Sequence, residues 1–144
     1  MVAEKPLLLV VACALLDTQG RVLLNQRPEG KSLAGLWEFP GGKVEAGETP
    51  EMALVRELVE ELGIEVAASD LIPLSFTSHA YSNFHLLMPL YVCHRYEGAL
   101  HGLEGQAIQW VAWDALETYP MPPADLPLLP LLQAFCMRHK RDEG

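Results

Sequence analysis

Residues 41–64 read Gly41-Gly42-Lys43-Val44-Glu45-Ala46-Gly47-Glu48-Thr49-Pro50-Glu51-Met52-Ala53-Leu54-Val55-Arg56-Glu57-Leu58-Val59-Glu60-Glu61-Leu62-Gly63-Ile64. The second half has helix signals at both ends. Thr49 is a natural N-cap, Pro50 fits the first helical position, and Glu51 suits the positive end of the dipole. Gly63 is a natural stop. Between them Met52, Val55, Val59 and Leu62 space out as one apolar face, with Leu58 at its edge. At about 100° per residue, Glu57, Glu60 and Glu61 fall on the opposite face.

Charge is concentrated here. From Val44 to Glu65 seven glutamates stand against one basic residue, Arg56, in a chain of net charge -9. Like charges three and four apart weaken a helix by roughly a few tenths of a kcal/mol each, so something should compensate them. A solvated acidic face is the bland explanation. Three features favour a divalent-cation site. The glycine pair lets backbone carbonyls approach a ligand closely. Oxygen-only ligands suit Mg²⁺ or Mn²⁺, which take a few carboxylates together with water and phosphate. Arg56, one residue before Glu57 and four before Glu60, can hold a carboxylate in a fixed orientation.

Outward from this stretch, helical and strand-like patterns alternate, which predicts an α/β or α+β class. Leu7–Leu16 and Arg21–Arg27 read as strands of a hairpin, turned by Asp17–Gly20. Residues 28–36 are loop, and Trp37–Phe39 is a short strand ending at Pro40 and the glycines. Leu71–His79 and His85–Tyr96 form a second hairpin around Ser82-Asn83. Residues 97–106 are loop, Ala107–Trp113 a strand and Asp114–Thr118 a short helical turn. Residues 119–127 hold four prolines and read as an ordered loop or a disordered one. Leu129–Lys140 reads as a final helix, and the last three residues as a frayed tail.

The chain has 144 residues, half of them hydrophobic, which suits one domain, residues 1–144, with a substantial core. The acidic balance and the lack of a Lys/Arg block exclude charge-driven binding to a nucleic-acid polymer or an anionic membrane. The apolar run before Cys13 is too short for a secretory core and ends in a turn, so a buried strand is the better reading. No stretch reaches the roughly 18 apolar residues of a span. A cytoplasmic protein, monomer or weak dimer, is expected. Cys13, Cys93 and Cys136 are far apart in sequence and lack metal-ligand spacing, as do the five histidines, so idle or buried thiols are expected.

Gly42, five residues, Glu48, seven residues, then Arg56-Glu57-Leu58-Val59-Glu60-Glu61-Leu62-Gly63-Ile64 resembles the complete box of the Nudix hydrolase family, with no departure at a fixed position. The resemblance implies the Nudix fold, a mixed β-sheet sandwiched between helices, and Mg²⁺-dependent (or Mn²⁺-dependent) hydrolysis of nucleoside diphosphates linked to another group. It implies that Glu57, Glu60 and Glu61 bind metal, that the Gly41 carbonyl is a backbone ligand, and that Arg56 and Glu48 orient the glutamates. Such ions would neutralise phosphate oxygens and activate a water for in-line attack, with a carboxylate taking its proton.

Trp37-Glu38-Phe39-Pro40-Gly41-Gly42-Lys43, Glu104-Gly105-Gln106 followed by Trp110, and Pro122-Pro123-Ala124-Asp125 resemble the MutT group of that family. Its members convert 8-oxo-dGTP to 8-oxo-dGMP and diphosphate, clearing an oxidised nucleotide from the precursor pool. The resemblance makes Arg27 a nucleotide contact and places Glu38 and Lys43 near the phosphates. Glu104 becomes an extra metal ligand or general base on a loop, and Tyr81 an aromatic that stacks on the base. Asp125 falls where well-known MutT proteins carry Asn. It keeps an acceptor for the N7–H of 8-oxoguanine but loses the amide donor to O6 unless protonated. Each has a plain structural alternative: a strand end for Arg27, a surface lysine for Lys43, a solvated loop carboxylate for Glu104, a sheet aromatic for Tyr81, a cap or turn residue for Asp125. Two other functions stay open: a Nudix enzyme acting on CTP, dCTP or another nucleotide, and a non-catalytic nucleotide-binding module.

Overall fold

The computed structural model describes residues 5–31 and 33–143. Its strands are β1 (Leu7–Leu15), β2 (Val22–Gln26), β3 (Trp37–Glu38), β4 (Gly41–Lys43), β5 (Ile72–Ala80), β6 (His85–Cys93) and β7 (Ile108–Val111). The helices are α1 (Pro50–Leu62) and α2 (Leu128–Glu143), with 3-10 turns at Ala68–Asp70 and Trp113–Thr118. One mixed sheet runs β4-β1-β6-β5 and a smaller antiparallel one β3-β2-β7.

β1 is the shared spine. It pairs parallel with β6, from Leu7 opposite His85 to Leu15 opposite Cys93, and antiparallel with β4, Ala12 opposite Gly41. Its side chains alternate between two cores, as the period of a strand requires. Val11, Cys13 and Leu15 point with Leu23 to the core containing Ala53, Leu54, Leu58 and Leu62 of α1. Ala12 and Ala14 point with Val22 and Leu24 to the core containing Leu128, Leu132 and Phe135 of α2. Sheet between helices is the architecture expected.

Three expectations need correcting. The turn at Asp17 forms, with Asp17 accepting from the N–H groups of Gln19 and Arg21. The strands it joins, however, are linked by an isolated bridge between Leu16 and Val22 and then enter different sheets. The apolar run of β1 reflects burial on both faces, which a hairpin reading does not anticipate. Second, the glycine pair is itself a strand, β4. Third, α1 is turned relative to the predicted face. Thr49 caps it, accepting from Met52 N–H, and Gly63 ends it in the left-handed region at φ 72°. But Met52 and Val59 are 54% and 45% exposed, and the buried residues are Ala53, Leu54, Leu58 and Leu62. At about 100° per residue that face runs beside Glu57 and Glu61 and not opposite them. The helix therefore presses two glutamates toward the protein and leaves Glu60 outside.

The second hairpin forms as expected, from Ile72 opposite Val92 to Ala80 opposite His85, with an irregularity between Pro73 and Ser75. The proline-rich stretch is an ordered loop. Met121, Ala124 and Asp125 are buried, Trp37 N–H donates to the Pro120 carbonyl at 2.7 Å, and Trp37 packs edge-on against Tyr119. α2 begins one residue earlier than predicted and continues through Glu143. Among the described residues no helix is long and apolar enough to cross a membrane.

Candidate functional site

The glutamate side of the site is built on β4 and the inner edge of α1. Because β4 lies flat on β1, a side chain at Gly41 would collide with backbone at Val11 and Ala12. A side chain at Gly42 would meet the carboxyl group of Glu57. The glycines thus bring backbone and carboxylates together. The Gly41 N–H, not the carbonyl, makes the contact here, donating to Glu61 Oε2 at 2.9 Å. The N–H holds one oxygen of Glu61 and leaves the other for a ligand.

Arg56 is the hub of the exposed side. Its Nε and Nη2 grip the two oxygens of Glu48 at 2.7 and 2.9 Å. Nη1 reaches Glu57 Oε1 at 2.9 Å and Glu60 Oε2 at 3.2 Å, and Nη2 also donates to the Lys43 carbonyl at 3.1 Å. Glu48 accepts further from Glu45 N–H. These hydrogen bonds, led by those of Arg56, draw the Glu48 carboxyl down to about 2. A planar guanidinium with several donors suits this bidentate role.

Glu61 is in the opposite state. Burial, followed by the negative charges of Glu57, Glu104 and Glu38, pushes its carboxyl up to about 8 against the opposing hydrogen bond from Gly41. Burial also raises Glu57, opposed by Arg56. The cluster is short of positive charge. Among the described residues no three His, Cys, Asp or Glu side chains form a ready metal cage. Mg²⁺ does not demand one, since it keeps several waters and takes one or two carboxylates plus substrate phosphates. The all-oxygen donors of Glu57, Glu60, Glu61, Glu104 and the Gly41 carbonyl therefore fit such a cation chemically.

A cleft continues from Gly41 and Glu61 past Glu104 and Gln106 to Asn25, Arg27, Lys31 and Glu38. Arg27, just past the end of β2, pairs through Nη1 with Glu38 Oε1 of β3 at 3.0 Å. Burial raises Glu38 and the Arg27 charge opposes it. Beyond this pair Tyr81 lies with its ring centroid 5.0 Å from Phe84 and 4.5 Å from His79. Asp125 is 5% exposed. Burial first, then the charge of Glu38, lifts its carboxyl to about 7, against a hydrogen bond from Phe39 N–H and the charge of Arg27. Arg27, Glu38, Tyr81 and Asp125, 98 positions apart at the extremes, thus form one electrostatic neighbourhood. Lys43 is exposed on β4, where its carbonyl accepts from Arg56.

Gln106 and Asn25 also line the cleft, and the sequence assigns neither a role. Gln106 Nε2 donates to the Glu61 carbonyl at 3.0 Å and its Oε1 accepts from Glu104 N–H at 2.9 Å. With Leu103 N–H also on the Glu61 carbonyl, the loop bearing Glu104 is clamped to the end of α1. Asn25 is 4% exposed. Period-two reading of β2 would have found it, since it shares a face with Leu23.

Comparison with known proteins agrees with this geometry. The NUDIX domain model matches residues 11–131. The chain is 40% identical over 127 residues to the CTP pyrophosphohydrolase of Escherichia coli, covering 87% of this chain and 91% of the relative. It is 38% identical over 133 residues to the 8-oxo-dGTP diphosphatase of Haemophilus influenzae, covering 88% and 91%. The crystal structure of the MutT Nudix hydrolase from Burkholderia pseudomallei superposes with a TM-score of 0.78 at 30% identity, over 88% of this chain and 98% of that one. Nudix hydrolases act on nucleotides and generally use divalent metal ions. With the complete glutamate box on α1 and a match across most of its length, the chain belongs to the Nudix hydrolase family, as a MutT-like pyrophosphohydrolase.

Proposed function

We propose that the protein hydrolyses 8-oxo-dGTP to 8-oxo-dGMP and diphosphate with Mg²⁺, which Mn²⁺ can replace, and so clears the nucleotide pool. The observation that carries this reading is that Arg27 and Glu38 line the glutamate-side cleft and also act electrostatically on Tyr81 and Asp125. The pair Arg27–Glu38 lies between Gly41 with the carboxylates of Glu61 and Glu104 on one side and Tyr81 with Asp125 on the other. A base stacked on Tyr81 would present its edge to Asp125. An ionised Asp125 accepts from the N7–H of 8-oxoguanine, and a protonated one donates to O6. Its position near neutrality makes both forms accessible.

Glu57, Glu60 and Glu61 hold the metal in this reading, with Gly41 and Glu104 completing the donors. The bound metal supplies Lewis acidity toward the phosphate oxygens and a more acidic water. Arg56 and Glu48 fix the glutamates in orientation. Arg27 and Lys43 provide positive charge toward the phosphates, and Glu38 holds Arg27 in place. A cleft carboxylate, Glu57, Glu60 or Glu104, receives the proton of the attacking water.

A second reading, CTP or dCTP as substrate, is favoured by the 40% identity to a relative named CTP pyrophosphohydrolase. An ionised Asp125 can accept from the amino group of cytosine as well. A panel of ordinary and oxidised nucleoside triphosphates, incubated with Mg²⁺ and followed for monophosphate and diphosphate, decides. Preference for 8-oxo-dGTP over dGTP at low concentration supports the first reading. Equal turnover of the two sinks it, and a preference for CTP or dCTP establishes the second.

A further inference from the structure

Asn25 has a buried side-chain oxygen without a hydrogen bond. Its Oδ1 finds no partner among the described residues, although the residue is 4% exposed. A buried acceptor left this way is unfavourable unless a ligand or water donates to it. On β2 it lies opposite Glu38 of β3 and Ile108 of β7, on the face that Leu23 turns toward α1. It lines the cleft shared by Gly41, Glu61, Glu104 and Gln106.

The neighbours narrow what can reach that oxygen. As metal-bound carboxylates, Glu61 and Glu104 have no proton to give. The Gly41 N–H is committed to Glu61, and Gln106 Nε2 to the Glu61 carbonyl. The cleft holds about 110 Å³, room for a few waters. An O–H brought in from solution can supply the missing donor. Mg²⁺ and Mn²⁺ carry such donors on their retained waters. We propose that Asn25 Oδ1 accepts a hydrogen bond from a water of the bound metal's hydration shell, which makes Asn25 a positioning residue for the reaction. This inference rests on the metal reading given above.

The test measures Mn²⁺ binding without nucleotide, by the EPR signal of the free ion, in the wild-type chain, Asn25→Leu and Asn25→Asp. Thermal melts of the metal-free proteins accompany it. Outer partners of metal ligands typically affect affinity by about 10–100-fold. Asn25→Leu should weaken Mn²⁺ by tenfold or more, while its metal-free melting temperature stays level or rises, because an unpaired acceptor has been removed. Asn25→Asp keeps the acceptor and should bind Mn²⁺ at least as tightly as wild type. Unchanged Mn²⁺ affinity in Asn25→Leu overturns the inference alone, as does a tenfold loss in Asn25→Asp. A KM effect on the nucleotide with unchanged Mn²⁺ affinity also overturns it and assigns the oxygen to a substrate hydroxyl. If Asn25→Leu does not fold, the Asp variant decides by the same criterion. Wild-type protein that binds no Mn²⁺ overturns the metal reading and this inference together.

Discussion

Arg56 holds both oxygens of Glu48, at 2.7 and 2.9 Å, while its remaining nitrogen spans Glu57 and Glu60. The guanidinium is thus anchored on one carboxylate in order to orient two others. Glu48→Gln keeps the size and loses the charge of that anchor. We expect kcat/KM to fall about 10–100-fold, the range for partners that orient metal ligands. The melting temperature at neutral pH should change little, since the pair lies at the surface. Steady-state kinetics with a thermal melt checks this, and full activity in Glu48→Gln would remove the orienting role.

Glu60 is exposed and lies outside both cores. Its replacement by Gln should therefore leave folding intact and remove activity by more than about a hundredfold, beyond what outer partners cost. Chelation should abolish turnover, and added Mg²⁺ or Mn²⁺ should restore it. Normal turnover by Glu60→Gln, with circular dichroism unchanged, would refute its metal role.

The two glycines of β4 should separate fold from function. At Gly42 the obstacle is a flexible carboxyl group, at Gly41 it is backbone. Gly42→Ala is expected to fold and to lose at least about tenfold in kcat/KM as Glu57 is displaced. Gly41→Ala is expected to lower stability by roughly 1–3 kcal/mol, the usual range for overpacking. Urea titration and kinetics on both variants test the contrast, which fails if the two behave alike.

Asp125 makes stability depend on pH. Its folded-state value is about 7 against 3.8 for the ordinary group, so between these the folded state holds more protons than the unfolded one. Stability then decreases as pH rises from about 4 to 7 and levels off above. Asp125→Asn keeps the acceptor for Phe39 N–H and carries no charge. Its advantage over wild type should be absent near pH 4 and reach a few kcal/mol by pH 8. Urea unfolding across that range measures it, and a constant difference would contradict the buried carboxylate. For Asp125→Ala we expect a higher KM for nucleotide with kcat retained; a loss confined to kcat would count against base reading.

Much of this was readable from residues 41–64. Thr49, Pro50 and Gly63 set the ends of α1 because capping is local chemistry. The glutamates announced themselves through spacing and unbalanced charge. The orientation of α1 was not readable, since Leu54 and Leu58 are buried by partners in β1 and β2 that sequence does not name. The same holds for β1, whose parallel neighbour β6 lies some 70 residues away. Asp125 and Arg27 were individually visible, but their shared burial with Glu38 depends on the 119–127 loop closing over β3. Gln106 was visible in Glu104-Gly105-Gln106, but its role was not, because that role lies in two hydrogen bonds to backbone groups.

The alternation along β1 bears on how the molecule comes apart. Val11, Cys13 and Leu15 serve one core, Ala12 and Ala14 the other, on a single nine-residue strand. Neither core can loosen without moving that strand and so disturbing its counterpart. The glutamate helix and the Asp125 loop are thereby coupled thermodynamically across the sheet, and melting should be one cooperative event. A partly opened form that keeps one half of the cleft intact has no strand of its own on which to rest.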